Sequence, residues 1–161
     1  MKYIIFFLFL IFFVHLHSIA DAQLIHFTPD IVNKFIGKKV SAFTDSSNKI
    51  GFKDVSQHPE FFHMQSEDVP NLGISDANNW IKFSIVNESH SNKIILNLEY
   101  PDIDKVTLYS LKNNLQADSI TIDEGSPISQ RVYKHQFYIF NLSVAPRDSI
   151  TCFLLIRSSK R

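Results

Sequence analysis

From Trp80 to Ile156 the apolar residues recur at every second position, in short runs broken by turn clusters, and this period restricts the chain to a β architecture. Ile81, Phe83 and Ile85 alternate with Lys82 and Ser84, and Ile94, Leu96, Leu98 and Tyr100 alternate with Asn97 and Glu99. Val106 and Leu108 share one face opposite Thr107 and Tyr109, and Ile120 with Ile122 marks a weaker strand. Tyr138, Phe140 and Leu142 flank Ile139 and Asn141, while Ile150, Cys152, Leu154 and Ile156 oppose Thr151, Phe153, Leu155 and Arg157. The breaks are Asn87–His90, Pro101-Asp102, Asn113-Asn114, Glu124–Pro127 and Pro146–Asp148. Strands about 10 to 15 residues apart, with no long helix between them, predict an antiparallel sandwich rather than βαβ units. Several strands are partly apolar on both alternate faces, which suits two sheets stacked in a small jelly roll.

The region before Trp80 is less regular. Thr28-Pro29-Asp30 predicts the cap of a short helical turn carrying Ile31, Phe35 and Ile36 and ended by Gly37. Val40–Phe43 reads as a short strand, Thr44–Asn48 as a turn, and Asp54–Phe62 as one or two helical turns before irregular chain through Gly73. Residues 1–22 read as a secretory signal peptide: Lys2 in a short n-region, an apolar run from Ile4 to Val14, and Ala20-Asp21-Ala22 as a small-x-small cleavage site. That run is too short for a bilayer core of roughly 30 Å. The alternative is an uncleaved N-terminal anchor. The expected organisation is a signal peptide over 1–22, a lead-in segment over 23–39 and one jelly-roll domain over 40–161.

Charge and cysteine content narrow the function. Lys and Arg total 16 against 16 for Asp and Glu, so nucleic acid, which demands a basic surface, is not an expected partner. The apolar content of 45% excludes a disordered chain. One cysteine, Cys152, excludes an intrachain disulfide framework and a multi-cysteine zinc site. The chain is expected to be exported, to the periplasm or beyond the cell.

Six stretches follow one another in a familiar order. They are Val40–Asp45, Asn71–Ser75, Asn79–Asn87, Leu98–Tyr109, Gly125–Arg131 and Leu154–Ser159. In that order they resemble the type-two extracellular domain of bacterial seven-transmembrane receptors with diverse intracellular signalling modules, across roughly residues 40–159. The resemblance implies a jelly-roll β-sandwich similar to carbohydrate-binding modules. It further implies an input domain outside the inner membrane that binds a small, carbohydrate-like ligand. Receptors of this kind continue into a seven-helix bundle, whereas this sequence ends at Lys160-Arg161. The expectation is therefore a truncated receptor, a fragment or a stand-alone binding domain, tied to the membrane only through a missing helical region.

Four residues are candidates for ligand contact. Trp80 offers an aromatic face to the apolar side of a pyranose, or else fills the core. Tyr109 and Tyr133, at strand ends or loops, each supply a stacking face and a hydroxyl. Arg131, which matches an arginine of the resembled family, either binds a carboxylate or paired hydroxyls, or ties down its own loop through backbone carbonyls. Arg157 is expected in a cross-strand ion pair and Asp45 in a turn. His58 and His63 are five residues apart, which on a helix turns the second ring about 140° from the first, so no metal site is expected. Asn87-Glu88-Ser89 and Asn141-Leu142-Ser143 are formal glycosylation sequons, relevant only in a eukaryotic secretory pathway. Cys152 shares a face with Ile150 and Leu154 and is expected to be buried. No carboxylate pair, nucleophile elbow or exposed thiol stands out, so neither a catalytic residue nor a cofactor is expected. The leading reading is a ligand-sensing domain. Its rival is a protein-interaction module of the cell envelope, including a homodimer formed through an edge strand.

Overall fold

The computed structural model describes residues 23–30, 34–73, 75–99, 103–113 and 115–158. The signal peptide over 1–22, Ile31, Ile74, the Tyr100–Asp102 corner, Asn114 and the terminal residues 159–161 lie outside the described residues. In chain order the strands are β1 (Leu24–Phe27), β2 (Ser41–Asp45), β3 (His63–Met64), β4 (Asn78–Asn87) and β5 (Lys93–Leu98). They continue as β6 (Lys105–Lys112), β7 (Leu115–Asp123), β8 (Tyr138–Ser143) and β9 (Ser149–Arg157). A short helix α1 (Phe52–Gln57) and three 3-10 turns complete the described structure.

The sheet is built around β4. On one side β4 pairs antiparallel with β9, Phe83 opposite Cys152, and β9 in turn carries β6 and then β7. The other side is shared. β2 runs antiparallel along Asn78–Lys82 and carries β3 outside it, whereas β1 runs parallel along Ser84–Asn87. A second sheet, β5 with β8, stacks over one face of this seven-stranded sheet. The arrangement is all-β and predominantly antiparallel, as the period-two pattern predicts.

Both faces of the large sheet are covered, which explains why Cys152–Ile156 is an unbroken apolar run. Cys152, Leu154 and Ile156 join Ile81, Phe83, Ile85, Val106 and Leu108 against Ile94, Phe140 and Leu142 of the small sheet. Phe153 and Leu155 point the other way, with Trp80, and pack under Val55 of α1 and Phe62. α1 begins at Phe52, two residues earlier than the sequence suggests, because Asp54 at N3 reaches back to the N-cap residue: the Gly51 N–H donates to Asp54 Oδ2 at 2.9 Å.

Two features of the first 40 residues depart from expectation. Leu24–Phe27 is a strand, with Ile25 in the core, where the sequence pattern is mixed. A 3-10 turn starts at Gly37 instead of a helical turn ending there, and the described residues 34–36 are not helical. The reason lies in a backbone crossing. Gly37 N donates to Asp68 O at 3.1 Å, and a Cβ on residue 37 would sit 2.1 Å from that oxygen. Only glycine lets the two segments pass this closely.

Candidate functional site

The outer face of β5–β8 presents a coherent polar and aromatic surface. Ile94, Phe140 and Leu142 turn into the core, so Lys93, Ile95 and Asn97 face out opposite Ser143, Asn141 and Ile139. At one end lies a shallow depression of about 300 Å³, lined by Asn92, Lys93, Asn141, Leu142 and Ser143. The half-buried Tyr133 reaches this end from the loop between β7 and β8. Its hydroxyl donates to Asn141 Oδ1 at 2.5 Å, and the Lys93 ammonium lies 5.5 Å from its ring centroid. An amphipathic ring, an amide and an ammonium therefore meet on one strand pair.

Arg131 holds that loop in place. Nη1 donates to the carbonyls of His135 and Gln136 at 3.3 Å each, and Nη2 to those of Asp123 and Glu124 at 3.2 and 3.4 Å. Its guanidinium also stands 5.5 Å from the ring of Tyr138, the first residue of β8. Of the two roles open to Arg131 in the sequence, this geometry is the loop-tying one: the end of β7 is joined to the segment just after Tyr133. Tyr138 is itself anchored inward, donating to the carbonyl of Ile103. Burial pushes its phenol up, with the Arg131 charge working in the opposite direction.

Trp80 and Tyr109 belong elsewhere. Trp80 is fully buried beneath α1, which is the core-filling alternative, and Tyr109 lies 5.9 Å from it with one face covered by Phe52. Both stand on the α1 side of the large sheet, while Tyr133 stands on the far side of the small one. The structure thus brings Arg131 and Tyr133 together and separates them from Trp80 and Tyr109. Sequence reasoning does not single out Lys93 or Asn92, and it names Asn141 only as an outward residue and, with Ser143, as part of a sequon. The available signal was the outward phase of Lys93 and Asn141, and it becomes meaningful only once β5 is known to pair with β8.

The remaining residues singled out have structural partners. Asp45 closes its turn by accepting from Ser47 N, Ser47 Oγ and Ile50 N at 2.9, 2.6 and 2.9 Å. Burial pushes that carboxyl up, but the bonds from Ser47, Ile50 and Asn48 outweigh it and hold it below its ordinary value. Arg157 Nε donates across the strands to Asn78 Oδ1 at 3.1 Å, in a cleft of about 410 Å³ also lined by Asn48, Asp76, Asp104 and Ser158. His58 Nδ1 meets Glu60 Oε1 at 2.7 Å and its ring stacks on Phe61. Asn87, the first sequon residue, is completely buried. Its amide donates to the carbonyls of Ser91 and Val144, and its Oδ1 accepts from Ser89 N and Oγ. Cys152 is buried, and burial pushes its thiol up to about 12. Among the described residues no three His, Cys, Asp or Glu side chains gather as metal ligands, and no helix is long and apolar enough to cross a membrane.

Comparison with known proteins gives one family. The model described as 7TMR-DISM extracellular 2 matches residues 37–161, which spans every described strand except β1. No curated protein matches the chain.

Proposed function

This chain belongs to the 7TMR-DISM extracellular 2 family, the extracellular sensor domains of seven-transmembrane receptors, and on that premise we propose that it holds a small carbohydrate-like ligand on the outer face of β5–β8. In this reading the domain works in the periplasm as the input unit of a receptor, and its chemistry is binding without bond cleavage. The observation that carries the reading is the meeting of Tyr133, Asn141 and Lys93 at an open depression. A tyrosine ring matches the C–H face of a pyranose, and the neighbouring amide and ammonium suit its hydroxyl oxygens. Arg131 contributes by fixing the loop, so that Tyr133 is presented already ordered and less conformational entropy is lost on binding.

The test is a glycan array followed by calorimetric titration of the purified chain, with dissociation constants expected at roughly micromolar to millimolar. Tyr133→Ala is expected to weaken binding about tenfold, the effect of losing ~1.4 kcal/mol. Silence across diverse glycans, with the fold intact, overturns the proposal. One observation favours a second reading, partner binding or self-association: β5 and β8 each keep an edge without a strand partner among the described residues. Sedimentation showing a stable dimer that loses solvent access at Tyr133 would favour it.

A further inference from the structure

We infer that the β5–β8 face selects acidic sugars, those bearing a carboxylate, over their neutral counterparts, an inference that rests on the glycan reading above. The one charged group lining the depression is a donor, and the other polar side chains can donate as well as accept. Lys93 contributes an ammonium, and Asn92 and Ser143 contribute an exposed amide and an exposed hydroxyl. The Oδ1 of Asn141 already accepts from the Tyr133 hydroxyl, and its Nδ2 protons have no hydrogen-bond partner among the described residues, so they are open to a ligand. No Asp or Glu lines this depression, whereas the Arg157 cleft includes Asp76 and Asp104.

Lys38, Lys105 and Lys112 pair with Asp68, Asp123 and Asp148, but Lys93 has no ion-pair partner among the described residues and rests beside the Tyr133 ring instead. The acid on the same strand face, Glu99, is six residues away, roughly 20 Å along an extended strand, and it is occupied by Asn97 Nδ2. A pyranose held in the depression would set its ring substituents beside Lys93, whose ammonium lies over the Tyr133 ring. There a carboxylate gains a charge-assisted hydrogen bond that a hydroxymethyl group does not make as strongly.

The experiment is calorimetric titration of the chain with matched methyl glycosides, glucuronide against glucoside and galacturonide against galactoside, at low and high salt. It is repeated with Lys93→Gln and Lys93→Arg, substitutions at an exposed position. The acidic member of a pair is expected to bind about five- to tenfold tighter at low salt, with the preference shrinking as salt rises. Lys93→Gln is expected to abolish the preference, weakening the acidic sugar far more than the neutral one, and Lys93→Arg to retain it. Equal binding of both members, or a preference that survives Lys93→Gln, overturns the inference and leaves the glycan reading standing. Absence of binding by either member of both pairs, together with a silent array, overturns both.

Discussion

Phe52 and Tyr109 lie face to face, their centroids 4.4 Å apart and their planes 9° from parallel, so the first residue of α1 is fastened to the middle of β6. Phe52 also meets Phe153 edge-on at 5.6 Å, and Phe62 does the same at 5.8 Å. This aromatic layer covers the face of the large sheet opposite the β5–β8 sandwich. It makes Trp80 and Tyr109 part of the framework.

Trp80 is the sole tryptophan and is fully buried, so it reports on this layer alone. Its fluorescence is expected at short wavelength in the folded chain, moving red on unfolding, with no change when a glycan titrates the β5–β8 face. Trp80→Ala should cost about 3–5 kcal/mol of stability in denaturant unfolding. A ligand-dependent shift in Trp80 emission would move the site to the α1 side.

Asn87 holds the β4–β5 turn against the start of the β8–β9 connection through the Val144 carbonyl at 2.7 Å. Asn87→Ala leaves buried carbonyls and the Ser89 donors without that partner, at an expected cost of about 2 kcal/mol or more. Asn87→Asp should be worse at neutral pH, because a carboxylate oxygen would then face two carbonyl oxygens. Urea unfolding of the two variants checks the order, and an Asn87→Asp chain as stable as the parent would refute it.

Asp45 gives the fold an acid-sensitive turn. Its folded carboxyl titrates below the ordinary 3.8 because hydrogen bonds to the ionised form outweigh the opposing effect of burial. A depressed carboxyl stabilises the folded chain above its unfolded value, and that contribution disappears as pH falls through the folded one. Thermal melts from pH 6 down to pH 2 should therefore show a loss of stability beginning near pH 5, about where a free carboxyl starts to protonate, and deepening through pH 4. Asp45→Asn should be less stable than the parent at pH 6 and should flatten that slope. An unchanged slope would assign the acid sensitivity to other carboxyls.

Cys152, with its thiol pushed up to about 12 and no exposed surface, should not react with a disulfide reagent in the folded state. Full reaction should appear only with global unfolding, so the labelling rate at increasing urea should track the unfolding equilibrium. Rapid labelling without denaturant would show that β9 opens locally.

The strands legible in the sequence are those whose two faces differ or whose runs are long. β4 and β9 carry five or more apolar positions and β6 four, between clear turn clusters, and hydrophobic period alone locates them. β1 was hidden because only Ile25 of its four residues is buried, and its neighbour β4 lies more than fifty residues away in sequence. The 3-10 turn at Gly37 is hidden in the sequence for a similar reason: its cause is the remote carbonyl of Asp68. For the site, Tyr133 and Arg131 were visible as residue types suited to a ligand loop. What Arg131 does depends on carbonyls as much as eight residues away. Lys93 stayed unremarked because a lysine facing outward at the start of a strand is ordinary until another strand brings Asn141 and Tyr133 beside it.

β1 and β2 divide one flank of β4 between them, and the family match begins at residue 37, after β1 has ended. An expression boundary drawn at the start of that match would strip the backbone of Ser84–Asn87 of its neighbour and vacate the place of Ile25. The trimmed product would bear a ready seam for joining another chain, and any oligomer measured on it would report the scalpel rather than the molecule.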